Sequence, residues 1–343
     1  MHYRWQPLHL SLLLAALVFG SVAVGCGEDE ETAKTLKIAW VPKALNNPVF
    51  ETGRDGALMR ASELSSTAQK VELIYAGPVA SDAAEQAQVI DGLVADGIDG
   101  LAVSCNDVEL CGAALARAAA KGVKVMTWDS DANAESGRIT YFGTDNAEGG
   151  MMAAKLLAKL LSESGEVAVL SGVPGAANLD QRIAGFTTEL AKYPGLNVVA
   201  TVYCDDDTDK AVQVIEQTMA EHPELDGWFI VGLWPLAADV DSMPLWKAAS
   251  LNGSLKSVAF DTLDFELELM EQGLVHGLIG QKYWAWGYES VSMLYEALVN
   301  GKTYGDFTNS GMDVVCPNNV AEMQAKWASG DFSTPLTPCD LLD

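Results

Sequence analysis

Carboxylates, amides and aromatic rings gather just after the β-rich runs of this chain, and their types set the chemistry open to them. Ser104 leads into Cys105-Asn106-Asp107, and Asp129-Ser130-Asp131 forms a second group. Asn178-Leu179-Asp180-Gln181-Arg182 and Tyr203-Cys204-Asp205-Asp206-Asp207 follow, and Trp234, Asp261 and Gln281 come after three later runs. Asp accepts hydrogen bonds, Arg donates them, and Asn or Gln does both. A neutral polyol calls for this mixture, because every hydroxyl is donor and acceptor at once. Bonds to charged partners contribute about 1.5–3 kcal/mol each, whereas micromolar binding needs about 8 kcal/mol. Several such groups must therefore converge in a buried place. Ser104, Asp131, Asp180, Arg182, Asp206 and Trp234 are candidates on this ground. Plainer roles compete: a helix cap for Asp131, a structural ion pair for Arg182, core for Trp234. Asp205-Asp206-Asp207 reads as a solvated turn from which one residue reaches the ligand. Asp145-Asn146 reads as a hinge or cap, and Trp284 and Trp286 as packing.

Catalytic signatures are missing from the sequence. There is no Gly-x-Ser-x-Gly, no phosphate-binding glycine loop and no zinc spacing, the patterns that nucleophile, nucleotide and metal chemistry would require. Past the N-terminal segment only His222 and His276 occur. No cofactor or metal is called for. A glycosidase working on carboxylates alone is the enzymatic alternative.

The elements that must position these residues alternate regularly. Leu36–Val41, Val71–Tyr75, Gly100–Ser104 and Val123–Trp128 read as strands, separated by helical stretches. Over Ser81–Ala95 the apolar residues Ala84, Ala87, Val89, Ile90, Leu93 and Val94 fall on one stripe. The pattern restarts at Gly165–Leu170 and continues through Leu196–Val202, Gly227–Val231 and Leu255–Phe260. Strands separated by helices imply right-handed βαβ units and parallel sheets. The expected fold class is α/β, with two Rossmann-like lobes. Ligands bind beyond the carboxyl ends of such strands, so the cleft between the lobes is the expected site.

The N-terminus sets the compartment. Arg4 precedes an apolar run, Leu8–Val24, broken by His9, Ser11, Gly20 and Ser21. It is shorter and less clean than the roughly 20 apolar residues of a membrane-spanning helix and reads as a signal peptide over residues 1–25. Val22-Ala23-Val24-Gly25-Cys26 resembles the lipobox of bacterial lipoproteins, which implies lipidation of Cys26. An acidic tether over 26–34 follows. Extracytoplasmic location, in the periplasm or at the cell surface and anchored by lipid, is therefore expected. With 47 acidic against 21 basic residues the net charge is −26, which argues against nucleic acid. Cysteine usage fits an oxidising compartment. Local pairing of Cys105 with Cys111 and of Cys316 with Cys339 would contribute about 2 and 3 kcal/mol, leaving Cys204 over.

Several strings occur together in order: Leu45-Asn46-Asn47-Pro48-Val49-Phe50, Asp129, Tyr141-Phe142-Gly143-Thr144-Asp145-Asn146 with Gly149, Arg182-Ile183-Ala184-Gly185-Phe186, Phe260-Asp261 and Gln281. This ordered set resembles the ribose- and galactose-type sugar-binding proteins of ABC importers, the type I periplasmic binding proteins, over essentially the whole chain past Cys26. The resemblance implies two lobes joined by a hinge with three crossings. Residues 35–144 plus 282–307 would form the first lobe and 145–281 plus 308–343 the second. It implies sugar contacts from Asn47, Phe50, Asp129, Asp261 and Gln281. Val49, Ser130, Asp180 and Gly232 depart from the family pattern. The departures point away from ribose, and the acidic strand ends suit an amino sugar as well as a neutral one. A monomer that delivers a sugar to ABC permease subunits is expected. Presentation of a sugar, nucleoside or autoinducer to a chemoreceptor or sensor kinase is the alternative.

Overall fold

A computed structural model describes residues 34–329 and 334–342. The expected signal peptide, Cys26 and the tether lie outside the described residues, except that Lys34 already opens the first strand. The first lobe begins with β1 (Lys34–Val41), α1 (Pro48–Leu64), β2 (Gln69–Tyr75), α2 (Ala83–Ala95), β3 (Gly100–Val103), α3 (Val108–Ala120), β4 (Lys124–Trp128) and β5 (Tyr141–Gly143). The chain then builds α4 (Asn146–Leu160), β6 (Ser164–Ser171), α5 (Ala177–Leu190), β7 (Gly195–Tyr203), α6 (Thr208–Glu221), β8 (Gly227–Ile230), α7 (Pro244–Leu251), β9 (Lys256–Phe260), α8 (Asp264–Glu271) and β10 (Gly277–Gly280). It returns with α9 (Tyr283–Val299) and β11 (Phe307–Asn309), and ends with β12 (Asp313–Val315) and α10 (Val320–Ser329).

Two six-stranded sheets result, ordered β11-β5-β4-β3-β1-β2 and β12-β10-β9-β8-β6-β7. Every pairing is parallel except β12 on β10. The two lobes thus repeat one strand order. Three connections link the sheets: Thr144–Asp145, Gln281–Lys282 and Ser310–Met312. Because β11 pairs with β5 through Asn309, the first sheet runs two residues past Phe307.

Helices on both faces explain the apolar strand sequences. Every residue of β3, β8 and β10 is buried, as strands covered on both sides require. Short acidic caps start many helices. Asp82, Asp107, Asp145 and Asp207 each accept a backbone N–H of the first turn, offsetting the unpaired donors there. One helix contact matters for the site. A Cβ on Gly150 would lie 2.0 Å from Arg182 O, and one on Gly185 would lie 2.1 Å from Ala147 O. Glycine at both places lets α4 and α5 touch backbone to backbone, which brings Arg182 under the cleft. Cys105 is joined to Cys111 and Cys316 to Cys339, while Cys204 is free and buried. No described helix is long and apolar enough to cross a membrane.

Candidate functional site

The ends of β4 and β9, equivalent strands of the two lobes, carry the same device. Asp129 has φ 57° and Asp261 has φ 87°. Non-glycine residues uncommonly adopt such angles, and those that do cluster at functional sites. Both aspartates are buried, and both line a cavity of about 30 Å³ between the lobes. Lys43, Asn47, Val49, Phe50, Asn178, Arg182, Asp206, Gln281 and Trp286 complete its wall. A water needs roughly 10–15 Å³, so this space holds water but not a sugar ring. The lobes are closed on one another. Leu233 and Leu263 of the second lobe pack into the first lobe's aromatic core.

Each carboxylate is held by several donors. Asp129 accepts from Ser104 Oγ at 2.6 Å and, across the cleft, from Asn178 Nδ2 at 3.1 Å. Asp261 Oδ1 accepts from Gln281 Nε2 at 2.9 Å and from the Tyr283 hydroxyl at 3.0 Å. Arg182 donates to Asn146 Oδ1, Val231 O and Gln281 Oε1 at 2.9, 2.9 and 2.6 Å. Its guanidinium lies 3.9 Å from the centroid of the Phe260 ring, a favourable cation–π contact. Burial holds the Arg182 pKa below its usual value against the pull of Asp261 and Asp129. Burial likewise raises Asp261 against the pull of Arg182. For both partners desolvation outweighs attraction, as expected for charges taken far from water.

The apolar wall belongs to the first lobe: Val49, Phe50 and Trp286 line the cavity, and Trp40 and Trp128 pack behind them. Trp40 and Trp128 stack at 3.9 Å, and Phe50 meets Trp128 edge-on at 5.6 Å. Trp286 lies 5.7 Å from Trp128. Rings of this kind suit the C–H faces of a polyol.

Most of the expected residues come together. Asn47, Phe50, Asp129, Arg182, Asp206, Asp261 and Gln281 line the cavity. Asn47 also caps α1 through Val49 N. Ser104 stands behind Asp129 as its donor. Trp234 is buried in the second lobe's core and lines the cleft mouth, a space of about 260 Å³ shared with Asn47 and Asp206. Two expectations need correction. Asp131 is turned away from the cavity, where Arg138 pairs with it at 2.7 Å and Thr127 Oγ1 donates to it. Asp180 is exposed on α5, with its pKa raised by partial burial. Sequence reasoning passed over Lys43 and assigned Trp286 to packing, yet both line the cavity. It also chose Asp180 over Asn178, although Asn178 and Arg182, four residues apart, share one helical face. The buried cations Lys43 and Arg182 share the wall with Asp129, Asp206 and Asp261, so the pocket is less acidic than the strand ends alone suggest.

Comparison with known proteins accords with this geometry. A family profile described as the periplasmic binding protein domain matches residues 38–303. The ribose import binding protein of Bacillus subtilis is 30% identical over 226 residues, covering 66% of this chain and 68% of the relative. The D-ribose/D-allose-binding protein of Pseudomonas aeruginosa is 27% identical, covering 71% and 76%. Among solved structures, an ABC transporter solute-binding protein from Burkholderia graminis in complex with D-arabinose is similar with a TM-score of 0.77 and 32% identity. It covers 83% of this chain and 96% of that one. An ABC transporter solute-binding protein from Agrobacterium vitis bound with α-D-tagatopyranose gives a TM-score of 0.77 and 26% identity, covering 84% and 96%.

Proposed function

Because that profile spans most of its length, the chain belongs to the periplasmic binding protein domain family, and on this premise we propose that it captures one small monosaccharide between its lobes and delivers it to the permease of an ABC importer. One observation carries the reading. Asp129 and Asp261, each at a strained strand end of its own lobe, converge with Arg182 and Gln281 on a buried space walled by Phe50 and Trp286. Such a site offers acceptors, donors and aromatic faces together, and it forms only when the lobes are closed. Ligand binding and closure are then one equilibrium, which the ligand shifts by its preference for the closed form. The relatives bind sugars as solute-binding proteins, and no step of bond breaking is assigned to this cleft. The protein works outside the cytoplasm, and we assign Cys26 as its lipid anchor.

Thermal melting of the chain from Gly27 onward, against D-ribose, D-arabinose, D-allose, D-tagatose, D-galactose and a nucleoside, tests the reading. A ligand that binds only the native state stabilises it by about 2.7 kcal/mol at a hundredfold excess over Kd. A shift with one sugar that is lost in Asp129→Asn supports the proposal. A shift with the nucleoside alone keeps the fold and removes the sugar.

A further inference from the structure

Two tyrosines of the first lobe form hydrogen bonds across the connections between the lobes, and each also holds one of the strained aspartates. Tyr141 stands on β5, just before the connection Thr144–Asp145. Its hydroxyl donates to Asp129 O at 2.7 Å and accepts from Nδ2 of Asn146, the first residue of α4 in the second lobe, at 2.9 Å. Gly143 leaves room for this hydroxyl, since a Cβ there would lie 2.4 Å from its oxygen. Tyr283 opens α9, just past the connection Gln281–Lys282, with its ring in the first lobe's aromatic core. Its hydroxyl donates to Asp261 Oδ1 and accepts from Thr262 N, both at 3.0 Å. Both tyrosines are buried. Burial pushes both phenol pKa values up, so the two hydroxyls keep their protons.

These bonds fall where the backbone is least comfortable. Asp129 has φ 57° and Asp261 has φ 87°, and Ser130 N donates to Trp128 O at 2.6 Å to close a three-residue turn around Asp129. Such conformations persist only where their surroundings over-determine them. Tyr141 fixes the carbonyl of the first aspartate. Tyr283 fixes the amide that follows the second, and one of its carboxylate oxygens as well. Gln281 Nε2 donates to that same Oδ1. Asp261 Oδ2 is left without a protein partner among the described residues, on a side chain that lines the cavity. We infer that Tyr141 and Tyr283 are positioning residues for ligand capture: bonded across the hinge, their hydroxyls hold Asp129 and Asp261 in the backbone conformation that turns both carboxylates into the cleft. The inference rests on the monosaccharide reading and adds that the hinge itself sets the two acceptors. An acceptor fixed in advance binds better than one that must be ordered on binding.

The test is a set of double-mutant cycles read by calorimetric titration with D-ribose, D-arabinose and D-allose. Phenylalanine keeps each tyrosine ring and removes only the hydroxyl. Glycine accepts the left-handed backbone of each aspartate and removes only the carboxylate. For whichever sugar binds, Tyr283→Phe is expected to weaken affinity about tenfold. In Asp261→Gly it should cost less than about twofold, because no carboxylate is left to aim, and in Asp129→Gly it should keep its full cost. Tyr141→Phe should show the mirror pattern, nearly silent in Asp129→Gly and costly in Asp261→Gly. A tyrosine change that costs the same in every background overturns the inference, as does one that lowers the melting temperature and leaves affinity alone. Should one phenylalanine variant not melt cooperatively, the other decides by the same rule. Where a glycine variant binds too weakly to titrate, stopped-flow rates of the single phenylalanine variants decide. Faster dissociation with association kept supports the inference, and slower association with dissociation kept overturns it. Wild-type protein that melts cooperatively yet binds none of the three sugars removes the monosaccharide reading for them, and this inference with it. A sugar that binds but ignores both tyrosine changes removes the inference alone.

Discussion

Asn178 Nδ2 donates to Asp129 Oδ1 across the interlobe cleft at 3.1 Å, so one hydrogen bond joins the strained end of β4 to the first turn of α5. Asp129, the proposed ligand acceptor, is therefore also part of the closed form's seam. Asp129→Asn is the informative change, because asparagine tolerates the left-handed backbone that Asp129 adopts, whereas alanine does not. Losing the charge should weaken sugar binding by about 1.5–3 kcal/mol, roughly tenfold to a hundredfold. The ligand-free melting temperature should move little. Titration calorimetry and a melting curve on the same preparation measure both.

A second seam lies at the cleft mouth. Ser81 Oγ of the first lobe donates to Asp206 Oδ2 of the second at 2.8 Å. Asp206 is held for this by Val173 N, which donates to its other oxygen. Ser81→Ala removes a contact made only when the lobes are closed. The expected loss is about 1 kcal/mol, or roughly fivefold in affinity. It should appear mainly as faster dissociation in stopped-flow displacement, with unfolding unchanged in urea.

The two α/β lobes and the strand-end aspartates were legible because parallel sheets put sites at the carboxyl ends of strands, and the strands here read as unbroken apolar runs. Helical phase, by contrast, was available but unused at α5. Asn178 and Arg182 lie four residues apart and share a face, whereas Asp180 lies about 200° from Asn178 at 3.6 residues per turn. Asp131 was misplaced for another reason. Its partner, Arg138, sits in the irregular segment before β5, where no periodicity forecasts a contact. Lys43 was hidden by a general expectation, since lysine is almost never fully buried unless paired, and only the closed cleft reveals it within.

His276 gives the fold an acid-sensitive point away from the cleft. Burial, with the Lys256 ammonium beside it, pushes its pKa down to about 4 from 6.5. Its Nδ1 accepts from Ser257 N at 3.2 Å, which requires the neutral ring. The unfolded chain therefore takes up a proton first as pH falls. The stability that His276 contributes is complete above pH 6.5 and is lost between about 6.5 and 4, to a total near 3 kcal/mol. In His276→Asn, which can still accept from Ser257, the slope of unfolding free energy over that interval should flatten. Urea titrations at pH 7, 5.5 and 4.5 read it directly.

Cys316 and Cys339 tie the segment after β12 to the C-terminal end of the described chain, 23 residues apart in sequence. Asn319 Nδ2 stitches the same region by donating to Val314 O and Thr337 O. Replacing both cysteines with serine frees this loop in the unfolded state and should cost about 3 kcal/mol. Reduction of the wild-type protein, which also opens Cys105–Cys111, should lower its melting temperature further. Sugar affinity should be nearly unchanged, because no described residue of this segment lines the interlobe cavity.

Arg182 supports several parts of the site at once. It is 2% exposed, and its three hydrogen bonds reach the first connection between the lobes at Asn146, the end of β8 at Val231 and the second connection at Gln281. Gln281 in turn donates to Asp261, whose carboxyl is buried and already raised in pKa. Arg182→Met keeps the apolar stem over Phe260 but removes the charge that offsets Asp261. The orphaned polar groups and the uncompensated carboxylate should together lower the unfolding free energy by about 3–5 kcal/mol. The sign of the pH dependence separates this cause from lost packing. Without Arg182 the Asp261 carboxyl is pushed further above its unfolded value, so the variant loses most stability as pH rises through the range between the two. Adding Asp261→Asn to Arg182→Met should therefore recover part of the loss at pH 7 and almost none near pH 4. Chemical unfolding of wild type, both single variants and the double variant at the two pH values would show it. A loss equal at both pH values and untouched by the second substitution would assign Arg182 to packing alone.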